Sequence, residues 1–164
     1  MVKNPKVEGM MSEALSHDND NRQVAACAAG GQDIRFLSVC SGIEAASVAW
    51  NPLGWQAVAV AEIEPFPSAV LAHHYPDVPN LGDITKFQGW PDYAIDLLCG
   101  GTPCQSFSVG GLRGGINDPR GSLMLSYLEI AKRYQPRVIV WENVVGVLSS
   151  GGGRDFGAFL GGAG

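Results

Sequence analysis

The sequence predicts an α/β fold with a doubly wound, mostly parallel sheet. Three observations carry that prediction. Apolar, β-prone runs alternate with segments of helical spacing along residues 34–142. Most of these runs are continuously apolar, as strands covered on both faces are. The polar exceptions, Cys40-Ser41-Gly42, Glu62, Asp83, Cys104 and Glu142, fall at the carboxyl ends of the runs, where open α/β sheets bind their ligands.

The elements follow in order. Ser16–Gln23 is polar and Ala25–Gly31 is small, so residues 1–32 are expected to be a poorly ordered tail and residues 33–164 the folded part. Ile34–Val39 reads as the first strand, Cys40–Gly42 as a turn and Ile43–Trp50 as a short helix, broken by Pro52 and Gly54. Trp55–Ala61 is a second strand ending on Glu62-Ile63-Glu64, and Pro65 suits the first turn of a helix running to about His74. Leu81–Ile84 is expected as the end of a third, shorter strand, and Ala94–Leu98 as a fourth. A glycine-rich loop then covers Gly100–Gly121. Ser122–Tyr134 has helical spacing, and Arg137–Trp141 is a fifth strand ending at Glu142-Asn143.

Composition bounds the function. A chain of 164 residues with 46% hydrophobic residues has the material for one domain and a real core. Eleven Lys and Arg against sixteen Asp and Glu give a net charge of −5, which excludes a simple basic nucleic-acid wrapper but not a local basic face. Cys27, Cys40, Cys99 and Cys104 form no C-x-x-C pair, so free thiols in a reduced, cytoplasmic setting are expected. No apolar run reaches the roughly 18 residues of a membrane span. Charged residues such as Lys3, Lys6, Glu8 and Glu13 exclude a signal peptide in the first thirty positions.

Gly42 and Glu62 are spaced as a tight turn after the first strand and a carboxylate at the end of the second, twenty residues on. That arrangement suits backbone approach to a ligand and a ribose held through both hydroxyls. Cys40, Gly42 and Ile43 are accordingly candidate cofactor contacts beside Glu62. The turn lacks G-x-G-x-x-G and the chain lacks G-K-[ST], so an adenosine-containing cofactor fits better than a dinucleotide or a P-loop nucleotide. An ordinary βα turn with a solvated Glu has the same spacing. Asp83 can accept from an adenine amino group or simply cap a turn.

In Gly100–Ser108, Cys104 lies behind Pro103 among polar Gln105, Ser106 and Ser108, a setting for a nucleophilic thiol more than for a buried one. Cys99, inside an apolar run, reads as core. His73 and His74 with the cysteines match no zinc spacing and are expected at the surface, so no metal is expected. Glu142 would share the crevice with Cys104 and could donate a proton if desolvated. Arg113 and Arg120 flank the loop and could touch phosphate, whereas Lys132, Arg133 and Arg137 read as a solvated helix end.

Together these residues resemble a DNA (cytosine-5)-methyltransferase, over about Ile34 to Leu160. Thr102-Pro103-Cys104-Gln105 resembles the family's Pro-Cys nucleophile motif, and Glu142-Asn143-Val144 its Glu-Asn-Val motif. Asp118–Leu123 resembles the segment between them, and Glu62-Ile63-Glu64 and Gly82-Asp83-Ile84 the cofactor-contacting motifs. The resemblance implies a Rossmann-like fold using S-adenosylmethionine to methylate carbon 5 of cytosine in DNA through a covalent Cys104 adduct. By position, Glu142 is similar to the base-recognising acid, Glu62 to the ribose ligand and Ile63 to the adenine-packing residue. Asp83 and Ile84 would meet the adenine edge and Leu123 the methionine side. Gln105, Ser108 and Arg120 fall where the family approaches DNA. A tRNA cytosine methyltransferase and a non-catalytic cofactor-binding fragment are the alternatives; an amino-methyltransferase would have no use for the thiol.

The match departs at two places. The family usually has an aromatic residue where Cys40 stands and a glycine where Glu44 stands, so cofactor packing is expected to be weaker and the turn crowded. The family also continues past this point with an Arg-rich strand, a target-recognition region and a terminal helix. This chain stops at Gly161-Gly162-Ala163-Gly164. Two expectations follow: an open edge at the fifth strand, and weak turnover unless a complementing C-terminal chain supplies the rest.

Overall fold

A computed structural model describes residues 33–103 and 122–163. Four parallel strands, β1 (Arg35–Val39), β2 (Gln56–Ala61), β3 (Leu97–Gly101) and β4 (Val138–Glu142), form one sheet in the order β2-β1-β3-β4. The helices are α1 (Ala45–Trp50), α2 (Pro65–His74), α3 (Ser122–Tyr134) and α4 (Arg154–Ala163). The doubly wound α/β expectation holds, with Pro65 opening α2 as its fixed φ allows.

The period-2 geometry of the strands sorts the core into two layers. Leu37, Val39, Ala59, Ala61 and Leu98 face Met124, Tyr127 and Leu128 of α3 and Phe159 of α4. Phe36, Leu97 and Cys99 face the other way, against Ala46 and Trp50 of α1, where Phe36 and Trp50 meet edge to face at 5.1 Å. Tyr127 is fully buried, and the one proton of its hydroxyl is shared between the carbonyls of Leu98 (3.2 Å) and Val140 (3.0 Å), tying α3 to β3 and β4. Trp141 stacks on Phe159 with ring centroids 3.9 Å apart.

Three expectations need correction. Leu81–Ile84 is not a strand. A single parallel bridge joins Val60 to Asn80. The chain then turns at Gly82 (φ 72°), and Asp83 caps a 3-10 helix over Ile84–Gly89. β3 begins at Leu97, later than expected, and continues through Gly100 and Gly101, which read in sequence as loop. Close strand packing explains both glycines: a Cβ on Gly100 would collide with the carbonyl of Val39, and one on Gly101 with the carboxylate of Glu142. Finally, β4 is covered on one face only. Ile139 and Trp141 pack inward, while Val138 and Val140 stay 49% and 41% exposed. β4 is the edge strand of the described sheet, as expected. The tail expected at residues 1–32 lies outside the described residues.

Candidate active site

In the order β2-β1-β3-β4, β2 and β3 leave β1 on opposite sides. A crevice opens at such a switch point, outside the carboxyl ends of the strands. Here the segments after β1, β2 and β3 enclose a cavity of about 260 Å³. Cys40, Glu62, Ile63, Asp83, Ile84 and Leu123, all expected cofactor residues, line it, and so do Glu64, Gly82 and Pro103. Gly42 and Ile43 do not; Ile43 is 59% exposed.

Gly42 acts through Glu62 instead. At φ 55° it occupies the left-handed region that glycine adopts without penalty. Its amide donates to Oε2 of Glu62 at 2.8 Å, while Oε1 of Glu62 accepts from the amides of Ile63 and Glu64, each at 2.8 Å. Three backbone N–H groups therefore fix one carboxylate. Ser41 seals the same corner: its amide donates to the carbonyl of Ala61 (3.1 Å) and its hydroxyl accepts from the Ala61 amide (3.1 Å).

Asn80 completes the frame and was missed in the sequence. Its Oδ1 accepts from the amides of Glu62 and Gly82, both at 3.0 Å, and its Nδ2 donates to the Glu62 carbonyl at 3.1 Å. The available signal was the Asn-x-Gly spacing of an Asx turn. Asp83 takes the capping role: Oδ1 accepts from the Thr85 amide (2.9 Å) and hydroxyl (2.8 Å). These bonds, the amide first, hold its carboxyl below the usual range. Ile84 is buried at the floor, and Ile63 stands 66% exposed at the mouth. Burial, reinforced by the charge of Glu62, pushes the Cys40 thiol up to about 11, so Cys40 is a neutral wall and not a nucleophile.

Glu142 ends β4 in register with Gly101, exposed at the same end of the sheet. Between them, the indole of Trp141 donates to the hydroxyl of buried Thr102 at 3.1 Å. The chain leaves β3 after Gly101 and passes through Thr102 to Pro103, which lines the cavity. Cys104, Gln105, Ser108, Arg113 and Arg120 lie outside the described residues. Among the described residues, no group of His, Cys, Asp or Glu is placed to hold a metal ion. His73 and His74 sit exposed in the last turn of α2. Arg133 is more than a solvated helix end: it donates to the carbonyls of Phe87 and Trp90 and pairs with Asp92 at 2.9 Å. No helix among the described residues is long and apolar enough to cross a membrane.

The sequence matches the C-5 cytosine-specific DNA methylase family over residues 34–161. It is 54% identical over 144 residues to the DNA N-6-adenine-methyltransferase of Escherichia phage P1, covering 80% of this chain and 19% of that protein. It is 38% identical over 120 residues to the orphan methyltransferase M.Rho11sI of Bacillus phage rho11s (71% and 24% covered). It is 34% identical over 121 residues to the type II methyltransferase M.HpaII of Haemophilus parainfluenzae (73% and 34% covered). The chain therefore spans a minor part of each of these relatives. In structure it is similar to a candidate DNA modification methyltransferase encoded within an E. coli prophage, with a TM-score of 0.63 at 21% identity, covering 79% of this chain and 37% of that one. It is also similar to the S. pombe Dnmt2 methyltransferase, with a TM-score of 0.56 at 21% identity, covering 79% and 40%.

Proposed function

Because the chain belongs to the C-5 cytosine-specific DNA methylase family, we propose that it is the cofactor-binding and nucleophile-bearing part of a DNA cytosine methyltransferase. The observation that carries this reading is the cavity at the switch point, where Glu62, Asp83, Ile63, Ile84 and Leu123 converge beside Pro103. Its donor set fits S-adenosylmethionine. The fixed Glu62 carboxylate retains acceptor capacity for ribose hydroxyls. Ile63 and Ile84 offer apolar surface to adenine, Asp83 an acceptor for its amino edge, and Leu123 a wall for the methionine side. When bound, the cofactor supplies an electrophilic methyl group on a sulfonium sulfur.

The chain's own residues prepare the acceptor. Carbon 5 of cytosine is a poor nucleophile. The Cys104 thiolate adds to carbon 6 and makes carbon 5 an enamine terminus. Glu142 holds ring nitrogen 3 and the exocyclic amine, limiting charge build-up as sulfur adds. Loss of the carbon 5 proton after methylation expels Cys104. The target base must first leave the duplex, at a cost of a few kcal/mol. By resemblance to the family, Gln105, Ser108 and Arg120 are the residues assigned to the flipped nucleotide and its backbone.

The open edge of β4 can pair with a further strand, from this polypeptide or a complementing one, that extends the sheet and carries the choice of DNA sequence. The free thiols of Cys40 and Cys99 suit the reducing cytoplasm, where such an enzyme meets DNA in restriction-modification or a phage cycle. The phage P1 relative's name describes N-6 chemistry for a protein of which this chain matches 19%. The thiol in Thr102–Gln105 favours carbon 5 here, since methylating an amine needs no covalent adduct.

The test is labelled-methyl transfer by the full chain, with and without the distal half of M.HpaII. DNA and tRNA are offered separately, and the product nucleosides are identified. Label in 5-methylcytosine from DNA supports the reading. Label in N-6-methyladenine or only in tRNA refutes it.

A further inference from the structure

Glu44 is the one Asp or Glu among the described residues that falls in the buried core, at 0% exposure. It stands at the junction of the Cys40–Ile43 turn and α1, with a left-handed backbone (φ 68°, ψ 58°) that side chains rarely adopt. Its amide donates to the Ser41 carbonyl at 2.9 Å, closing the turn. Its Oε1 accepts from the amide (3.2 Å) and hydroxyl (3.1 Å) of Ser47, capping α1. Oε2 is shut off from solvent without a hydrogen-bond partner. Ser47, Glu44, Ser41 and Gly42 thus form a connected path that ends on Glu62.

The groups around this carboxyl cannot balance a negative charge. β1 contributes Ser38, the turn Ser41, α1 Ser47, β3 Cys99, and the end of α2 Tyr75. Glu62, reached from this turn through the Gly42 amide, is itself acidic. Among the described residues no Lys, Arg or His pairs with Glu44. Burial therefore raises its pKa, and the hydroxyls of Ser38, Ser47 and Ser41 oppose that only in part.

We propose that Glu44 is a pH-sensitive latch on the β1–α1 turn. Uncharged, it stays beneath α1 and holds Gly42 against Glu62; ionised, it turns toward water and releases that contact. A folded pKa above the unfolded one means that the stabilisation is complete at low pH. It is lost as pH rises from the ordinary Glu range, about 4.3, through the folded value. Binding in the adjacent cavity then weakens over the same window. That last consequence rests on the functional reading above; the latch itself does not.

Two measurements on the full chain separate these claims. Denaturant unfolding of wild type and Glu44→Gln is followed from about pH 4 to pH 9. Wild type should lose stability with rising pH relative to Glu44→Gln, which keeps the shape without the charge. Parallel profiles overturn the latch. If Glu44→Gln does not fold, exchange of the Gly42 amide in wild type decides: protection should fall with pH, and constant protection overturns the proposal. Calorimetry with S-adenosylmethionine should show wild-type affinity falling at least about threefold across the same range, about pH 4 to pH 9, with Glu44→Gln flat. No binding by either protein at any pH, with the stability difference intact, refutes the cofactor reading and leaves the latch standing. Equal pH dependence of binding in the two proteins counts against the latch.

Discussion

The amide of Gly42 and the carboxylate of Glu62 meet at 2.8 Å across twenty residues of chain. This bond joins the turn after β1 to the end of β2 and shapes one wall of the cavity. Glu62→Ala removes the acceptor for three amides at once. We expect a loss of about 1–3 kcal/mol in stability and at least about tenfold in S-adenosylmethionine affinity. Thermal melts and calorimetry would measure the two effects separately.

Gly100 and Gly101 should respond differently to alanine. A Cβ on Gly100 meets the backbone of β1, which cannot yield without moving a strand, whereas one on Gly101 meets only the end of the Glu142 side chain. Gly100→Ala is therefore expected to cost more, about 2–3 kcal/mol against about 1 kcal/mol. Gly101→Ala should instead displace Glu142 and suppress methyl transfer with the fold intact. Urea unfolding and activity in the complemented system check both.

These glycines show where the sequence was legible and where it was not. β1 to β3 were visible because they are continuously apolar, and Glu62 and Asp83 because a carboxylate ending such a run is conspicuous. Gly100 and Gly101 read locally as loop; only the neighbouring strands make them strand residues. Leu81–Ile84 carried the apolar signal of a strand, but Asn80 and Gly82 bend it into a turn. Val138–Trp141 is as apolar as a fully covered strand, yet half of it faces out. Glu44 read in sequence as a residue that crowds the turn, and nothing local marked it as buried.

Tyr127→Phe tests the tie between α3 and the sheet. It takes the shared hydroxyl from the buried Leu98 carbonyl and the part-buried Val140 carbonyl. A loss of about 1–3 kcal/mol is expected. Burial raises this phenol's pKa well above its ordinary value, so the difference from wild type should stay constant from about pH 6 to pH 9. A difference that varies across that range would contradict the assigned environment.

Cys40 and Cys99 should be unreactive. Burial pushes their thiols up to about 11 and about 12, above the roughly 8.5 of an unfolded thiol. The folded chain then favours the protonated forms, so stability falls as pH rises from about 8.5 through these values. Iodoacetamide labelling at about pH 8 followed by peptide mass spectrometry should spare both and modify Cys104 first. Labelling of Cys40 ahead of Cys104 would move the nucleophile assignment.

The central claim, covalent attack by Cys104 on a flipped cytosine, is tested most directly by trapping. Duplex DNA carrying 5-fluorocytosine is incubated with S-adenosylmethionine and the full chain, complemented by the distal half of M.HpaII. Denaturing electrophoresis should show a protein–DNA adduct for wild type and none for Cys104→Ser. Adducts of equal yield from both proteins would contradict the account, as would none from wild type under conditions where 5-methylcytosine still forms.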